Sequence, residues 1–241
     1  MTIDTLALVE SPAQFLHLLE WCHAERAAHR TRLVVLAPGD RTTVGQLQSM
    51  ADFAEEEGIE VGWHTPRASA MSGLRMLAEL RPVVSRARRL VIGDPFSGMI
   101  QALLPFAHPG EVVVVDDGTA TLEFAAQLAG GEPLRRWHAG RAAVRAPLAR
   151  HTRWFLSRAH LQLFTVMSVT ALPGSRVRHH GYDWTRRRFG PPRLLSGVDV
   201  VGSSLVETGV VDTDAYLDAV GRLAAQSGAA GRYFAHRREH P

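Results

Sequence analysis

Two adjacent aspartates, Asp116 and Asp117, follow an unbroken run of valines, Val112–Val115, and precede Gly118. A β-branched run is typical of a strand covered on both faces of a parallel sheet, and ligands of open α/β sheets bind at the carboxyl ends of such strands. A carboxylate there can act as a general base toward a hydroxyl group. The structural alternative is that one aspartate caps the next helix and the other is solvated. Because neighbouring strand residues point to opposite faces, we expect only one of the two to reach a cleft, and the sequence does not say which.

A second group of polar residues lies near the C-terminus, where an apolar segment led by Tyr233 is followed by His236, Arg237 and Glu239. Histidine titrates near neutrality, so His236 can protonate or hydrogen-bond a departing phosphate, and a neighbouring arginine can hold the phosphate charge. The loop after the apolar run at 198–201 supplies further candidates, for which ordinary turn chemistry is the alternative. These candidates are Ser203, Ser204 and Glu207.

Strand and helix patterns alternate through the first 130 residues and must position these groups. Short apolar runs predict strands at 6–9, 32–38, 59–63, 90–94 and 112–115. Helical spacing predicts helices between the strands; the first opens at Ser11-Pro12, and the helix that begins at residue 70 is broken by Pro82. This alternation predicts an α/β fold with a doubly wound, parallel, Rossmann-like sheet.

The second half of the chain is less regular. The segment 161–169 has the best strand pattern there, and the arginine- and proline-rich segment 181–196 predicts a linker. Behind it, a strand at 198–201, a helix at 213–225 and a strand at 232–235 predict a β-α-β unit. We therefore expect a first lobe over 1–180, a linker over 181–196 and a second lobe over 197–241.

Several function classes lack their motifs. The chain has no glycine-rich dinucleotide fingerprint, no phosphate loop and no Gly-x-Ser-x-Gly elbow, which argues against NAD enzymes, phosphate-loop NTPases and serine hydrolases. The 12 histidines lack metal-ligand spacing, so we expect no metal site. Cys22 is the only cysteine, which excludes an internal disulfide and fits a reducing compartment.

Composition and charge describe an ordinary globular protein, with 46% hydrophobic residues and a net charge of +3. No apolar run approaches the roughly 18 residues that span a bilayer, and no signal peptide is evident, so we expect a cytoplasmic protein without a transmembrane segment. All 27 basic residues are arginines. Their clusters fit a polyanion, a nucleotide phosphate or contact with an acidic membrane surface, and a solvated face is the alternative. Nucleic-acid binding is not expected, because no zinc spacing or aromatic-interleaved basic strand is present.

The order of these motifs resembles that of the bacterial sialyltransferases and polysialyltransferases of capsule and lipooligosaccharide synthesis. The resemblance runs from Leu90 onward through IGD, a helix, VVVVDDGT, a GSSLVE-like strand end and YFAHRRE. The family's hallmarks are an acidic-acidic-glycine motif and a His-Pro motif. Here His236 is followed by Arg237 instead of proline, while literal His-Pro pairs stand at His108-Pro109 and His240-Pro241. We select His236 by its context after Tyr233 and keep His240 in reserve.

The resemblance implies an inverting, metal-independent glycosyltransferase of GT-B architecture that moves a sugar from a CMP-sugar to a glycan acceptor and uses no cofactor. Asp116 or Asp117 would be the base and His236 the group that assists CMP departure. The substrate-binding residues would be Gly118, Ser203, Ser204, Glu207, Arg237 and Glu239. The first lobe would be the acceptor side, and 197–241 the start of an incomplete, truncated donor-side lobe. The alternatives are a catalytically inactive Rossmann-like binding protein and a GT-B enzyme that uses another nucleotide sugar; the oligomeric state stays open.

Overall fold

A computed structural model describes residues 3–135, 146–169, 174–193, 198–203, 205–207, 209–227, 231–235 and 239. The strands are β1 (Thr5–Val9), β2 (Thr31–Leu36), β3 (Glu60–His64), β4 (Arg89–Ile92), β5 (Glu111–Val115), β6 (Leu161–Thr165), β7 (Ser175–His179), β8 (Asp199–Val201) and β9 (Arg232–Phe234). The α-helices are α1 (Pro12–Glu25), α2 (Arg41–Glu56), α3 (Ala70–Arg86), α4 (Gly98–Leu103), α5 (Thr119–Gly130), α6 (Ala146–Arg158), α7 (Asp183–Phe189) and α8 (Thr213–Ser227). Short 3-10 helices occupy Ala28–Arg30 and Leu104–Phe106. The chain divides into two compact units, Met1–Gly190 and Pro191–Pro241.

The first unit is built on a seven-stranded sheet in the order β3-β2-β1-β4-β5-β6-β7. Every neighbouring pair is parallel; Leu8 of β1, for example, lies between Val34 of β2 and Ile92 of β4. The predicted α/β fold with a parallel, Rossmann-like sheet is therefore confirmed. The strand order reverses between β1 and β4, and such a reversal is where doubly wound sheets open a crevice for ligands.

Helices cover both faces of this sheet, and alternate strand residues feed two hydrophobic cores. Val112 and Val114 of β5 enter the core beneath α3, α4 and α6, while Val113 and Val115 enter the core beneath α1 and α2. The uninterrupted valine run has this cause, because a strand covered on both faces has no polar side. The strand ends at Val115, and Asp116 follows it directly.

Helix α3 does not stop at Pro82, contrary to the sequence prediction. Proline removes one intrahelical hydrogen bond, so a break was expected there. The structure continues to Arg86 because Met76, Leu80 and Val84 are all buried at a spacing of four residues. Pro82 itself is exposed, so the carbonyl that lost its partner lies on the solvent side, where water can satisfy it.

Part of the segment expected to be a linker, 181–196, is helical. Helix α7 lies in the first unit, with Trp184 fully buried against the core that contains α1. Helix α6 and strand β7 were not predicted either. The strand expected over 161–169 is shorter, because β6 ends at Thr165.

The second unit contains the predicted β-α-β arrangement. Strands β8 and β9 pair in parallel, with Val200 opposite Tyr233, and α8 connects them. Among the residues that the structure describes, no helix is long and apolar enough to cross a membrane.

Candidate functional site

Asp116 is a fully buried carboxylate directly after β5. Its Oδ1 accepts a hydrogen bond of 2.5 Å from the Thr121 hydroxyl. Its Oδ2 accepts bonds of 2.8 Å from the Thr165 hydroxyl and 2.9 Å from the Val166 amide. These donors belong to α5 and to the end of β6, so Asp116 ties β5 to both elements. A carboxylate held in this way has a structural role.

Asp117 lies in a different environment. It is partly exposed and, together with Gly93 and Asp94, borders a narrow crevice between the ends of β4 and β5 that is too small to hold a water molecule. Its backbone amide donates to the Thr121 hydroxyl at 2.9 Å, and its Oδ1 accepts from the Ser11 hydroxyl at 3.4 Å. The structure thus distinguishes the two aspartates, and Asp117 is the one that reaches the carboxyl edge of the sheet.

Gly118 has φ +65° and ψ −135° and precedes the first residue of α5. A residue with a side chain rarely adopts this conformation, and the turn allows α5 to begin at Thr119, two residues after Asp117. A Cβ at Gly118 would meet no atom within 4 Å, so the glycine is required by its backbone angles and not by crowding. The acidic-acidic-glycine sequence therefore builds a sharp strand-to-helix turn that leaves one carboxylate at the edge.

The end of β1 adds Glu10 to this edge. Its carboxylate accepts hydrogen bonds from the Arg67 guanidinium at 2.9 Å and from the Ser97 hydroxyl at 2.8 Å. Burial raises the pKa of Glu10, the Arg67 charge opposes this, and the nearby Asp94 adds to it. A carboxyl group with a raised pKa, supplied by the first strand at the reversal of strand order, is typical of a functional position.

Gln14 organises the backbone at the same place. The backbone amide of Glu10 donates to the Gln14 side-chain oxygen at 2.8 Å. The backbone amide of Gln14 donates to the Ser11 hydroxyl at 3.3 Å, and this bond caps α1. A Cβ on Gly93 would lie only 2.3 Å from that Gln14 oxygen. A side chain at position 93 would therefore force the Gln14 side chain to move.

The sequence analysis did not identify this part of the edge. The missed residues are Glu10, Ser11, Gln14, Arg67, Asp94 and Ser97. Three of them, Glu10, Ser11 and Asp94, come within two residues of the end of β1 or β4, and polar residues just beyond a predicted parallel strand were the available signal.

A histidine pair lies between α1 and the end of β7. Nδ1 of His17 is 3.0 Å from Nε2 of His180, and the His180 ring stacks on Phe164 at a centroid distance of 4.5 Å. The Tyr182 ring packs against both histidines. Burial lowers the pKa of His17 to about 4, although the Asp116 charge acts in the opposite direction. Burial lowers the pKa of His180 as well. Both imidazoles are therefore neutral at physiological pH.

The second unit joins two of the predicted residues through tyrosines. The Ser203 amide donates to the Tyr216 hydroxyl at 3.0 Å, the hydroxyls of Tyr216 and Tyr233 are 3.1 Å apart, and Tyr233 donates to Glu239 at 2.7 Å. Glu207 is exposed. Ser204, His236, Arg237 and His240 lie outside the described residues.

The arrangement in the first unit suits chemistry on a hydroxyl-rich ligand, because carboxylates and a serine hydroxyl meet at one sheet edge near a single arginine. Within the described part of the chain, no group of three or more histidine, cysteine or carboxylate side chains is placed to hold a metal ion. No protein-family model matches the chain, and the search of curated proteins finds no match.

Proposed function

We propose that this protein is a sialyltransferase-like glycosyltransferase that moves a sugar from a CMP-sugar to a hydroxyl group of a glycan acceptor. The unit Met1–Gly190 is the acceptor-side lobe and Pro191–Pro241 belongs to the donor side of a GT-B-like enzyme. One observation carries the proposal. Asp117, in the acidic-acidic-glycine turn, is partly exposed at the carboxyl edge of the sheet, whereas Asp116 is buried and accepts three hydrogen bonds.

Asp117 is the general base of the proposed reaction. Its carboxylate takes the proton of the acceptor hydroxyl, and the acceptor oxygen attacks the anomeric carbon of the donor sugar. The bond between that carbon and the phosphate oxygen breaks, CMP leaves with the electron pair, and the configuration inverts. A base at the acceptor is needed because a neutral hydroxyl is a weak nucleophile.

Residues beside Asp117 bind the acceptor in this proposal. The Ser11 hydroxyl lies 3.4 Å from the Asp117 carboxylate. Glu10, like Ser11, follows the end of β1. Carboxylate and hydroxyl groups pair well with the alternating donors and acceptors of a sugar ring. Gly118, with no side chain, lets the acceptor approach the backbone of the turn.

The donor side follows from the resemblance. His236 protonates or hydrogen-bonds the departing phosphate, with His240 in reserve, and Arg237 holds its charge. Ser203, Ser204, Glu207 and Glu239 bind the rest of the nucleotide sugar. This division of labour needs neither a metal nor a cofactor.

The test is a transfer assay with CMP-sialic acid and a sialylated oligosaccharide acceptor, in which CMP release and the lengthened product are both measured. The wild type should form both products, and Asp117→Asn should lose both. Asp52→Asn, a change to an exposed aspartate on α2, is the matched control and should remain active. Transfer only from UDP- or GDP-sugars would replace the donor assignment. Calorimetric binding of a nucleotide sugar without any transfer would identify a binding protein instead.

A further inference from the structure

Helix α6 presents a basic stripe around an exposed tryptophan. Arg150, Trp154 and Arg158 follow one another at intervals of four residues, so they lie along one side of the helix. Trp154 is 50% exposed, which is unusual for so large an apolar side chain. The Arg158 guanidinium lies 5.1 Å from the centre of the Trp154 ring, and the His151 ring lies on its other flank at 5.5 Å.

The core fixes the orientation of this stripe. Ala149, Thr152 and Leu156 are buried on the opposite side of α6, and Leu156 belongs to the core that α3 and α4 cover. Because the helix cannot rotate without exposing Leu156, Trp154 must face outward. The stripe is therefore a fixed feature of the surface.

Helix α6 and the described elements with which it makes most of its contacts carry no acidic residue. The helix contains three arginines and no aspartate or glutamate. The elements that it packs against, α4, the 3-10 helix Leu104–Phe106 and β6, contain no acidic residue either. The arginines of the stripe have no carboxylate on these elements to neutralise them, and their field favours an anionic partner.

We propose that the α6 stripe, centred on Trp154 between Arg150 and Arg158, docks this protein onto the surface of an anionic phospholipid bilayer. Tryptophan is the side chain that best occupies the headgroup level of a bilayer, and arginines beside it bind the phosphate groups. A straight helix that lies along the protein surface can place all of its outer stripe on a flat bilayer. Proteins that bind single-stranded nucleic acids stack the bases on several aromatic side chains along a basic groove. Helix α6 has one exposed tryptophan, which favours a bilayer over a nucleic acid as its partner.

The test is sedimentation of the full 241-residue chain with vesicles of phosphatidylcholine, with and without about 30% phosphatidylglycerol, at low and high salt. We expect binding to the anionic vesicles that weakens with salt. Arg150→Glu with Arg158→Glu should weaken this binding by tenfold or more, since each arginine near such a surface contributes roughly fivefold. Trp154→Ala should weaken it severalfold.

The matched control is Arg41→Glu with Arg222→Glu, which changes the net charge equally at exposed sites outside α6. Equal losses in both double variants would show a response to net charge alone and overturn the proposal. Absence of binding to anionic vesicles at low salt would also overturn it, as would tighter, α6-dependent binding to an oligonucleotide. Quenching of the wild-type tryptophan fluorescence by brominated lipid, lost in Trp154→Phe, would locate the contact at α6 even if a charge-reversed variant folds poorly. Quenching that persists in Trp154→Phe would place the contact elsewhere and reject α6.

Discussion

Asp116 and Asp117 are adjacent in the chain, yet Asp116 is fully buried with three hydrogen-bond donors around it, while Asp117 lines the crevice at the sheet edge. The two carboxylates therefore lie in different environments. Asp116 joins β5 to β6 and α5, whereas the Asp117 carboxylate is partly exposed at the sheet edge and accepts a hydrogen bond from Ser11.

Substitution by asparagine should separate these roles. Asp117→Asn should leave the melting temperature nearly unchanged and lower the turnover of the proposed transfer by roughly a hundredfold, the usual scale for a general base. Asp116→Asn should lower the free energy of unfolding by about 1–3 kcal/mol, because an amide group would face the hydroxyl and amide donors. Thermal melts and transfer assays on both variants check this. A stable Asp116→Asn protein, or an active Asp117→Asn protein, would contradict the assignment.

The buried histidine pair should make stability depend on pH. In the folded protein the pKa of His17 is about 4, against an ordinary 6.5, so between these values the unfolded chain binds more protons. The contribution of neutral His17 to the free energy of unfolding should therefore be complete above pH 6.5 and decrease as the pH drops toward 4. The loss should reach at most about 3 kcal/mol. The charged and titratable groups around the pair are Asp116, Glu20, Tyr182, Asp183 and His179.

Urea unfolding at several pH values measures this dependence. His17→Gln should flatten the curve between pH 6.5 and 4, whereas His160→Gln, at an exposed histidine, should not. An unchanged slope in His17→Gln would mean that another group carries the dependence.

Glu20 of α1 should be a main attachment of α7. Its buried carboxylate accepts bonds of 2.9 Å from the amides of Trp184 and Thr185, and one of 2.6 Å from the Thr185 hydroxyl. Glu20→Ala leaves these donors unpaired and should cost about 2–4 kcal/mol of unfolding free energy. Glu55→Ala, at an exposed glutamate, should change it by less than about 0.5 kcal/mol. Equal stabilities in urea titrations of the two variants would reject this role.

The contact between Gly93 and Gln14 predicts coupled effects of substitution. Gly93→Ala should cost about 2 kcal/mol, because its Cβ would collide with the Gln14 side chain that holds the Glu10 amide. Removing that side chain relieves the collision, so Gly93→Ala with Gln14→Ala should be less destabilised than the sum of the single variants. Gly110→Ala is the control, since its Cβ would make an ordinary contact of 3.7 Å. Additive losses in a double-mutant cycle would contradict the collision.

The sequence predicted the elements that are apolar or periodic. Strands β1, β2, β4 and β5 are recognisable because both their faces are buried, and the position of the aspartates follows from the end of β5. Strand β7, with the sequence SRVRH, is polar because it is an edge strand and is not fully buried. No local pattern reveals it.

The remaining features depend on contacts between residues far apart in the chain. His17 and His180 are 163 positions apart. Helix α7 forms in an arginine-rich segment because Glu20 accepts a hydrogen bond from its Trp184 amide and because Trp184 packs into the core. The sequence left open which aspartate faces the crevice, because the answer depends on where β5 ends and the Gly118 turn begins. The packed fold determines that boundary.

Glu10 should show a conflict between stability and function. Burial raises its pKa above the ordinary 4.5, so the folded state binds more protons than the unfolded chain just above pH 4.5. The stability contributed by the neutral form is then lost as the pH rises through the folded pKa, and above that pH the buried, ionised Glu10 lowers the free energy of unfolding. Glu10→Gln keeps an oxygen for Ser97 and Arg67 and removes the charge.

Glu10→Gln should therefore melt at an equal or higher temperature than the wild type at pH 7 to 8, with the difference disappearing below about pH 4.5. If Glu10 binds the acceptor beside Asp117, the same variant should lower kcat/KM for transfer by about tenfold through a higher acceptor KM. The control is Glu56→Gln, the same substitution at an exposed glutamate. Gln101→Glu would not serve, because Gln101 is buried. A lower melting temperature at pH 7 would show that the Arg67 and Ser97 bonds outweigh the burial of the charge, and an unchanged KM would remove Glu10 from acceptor binding.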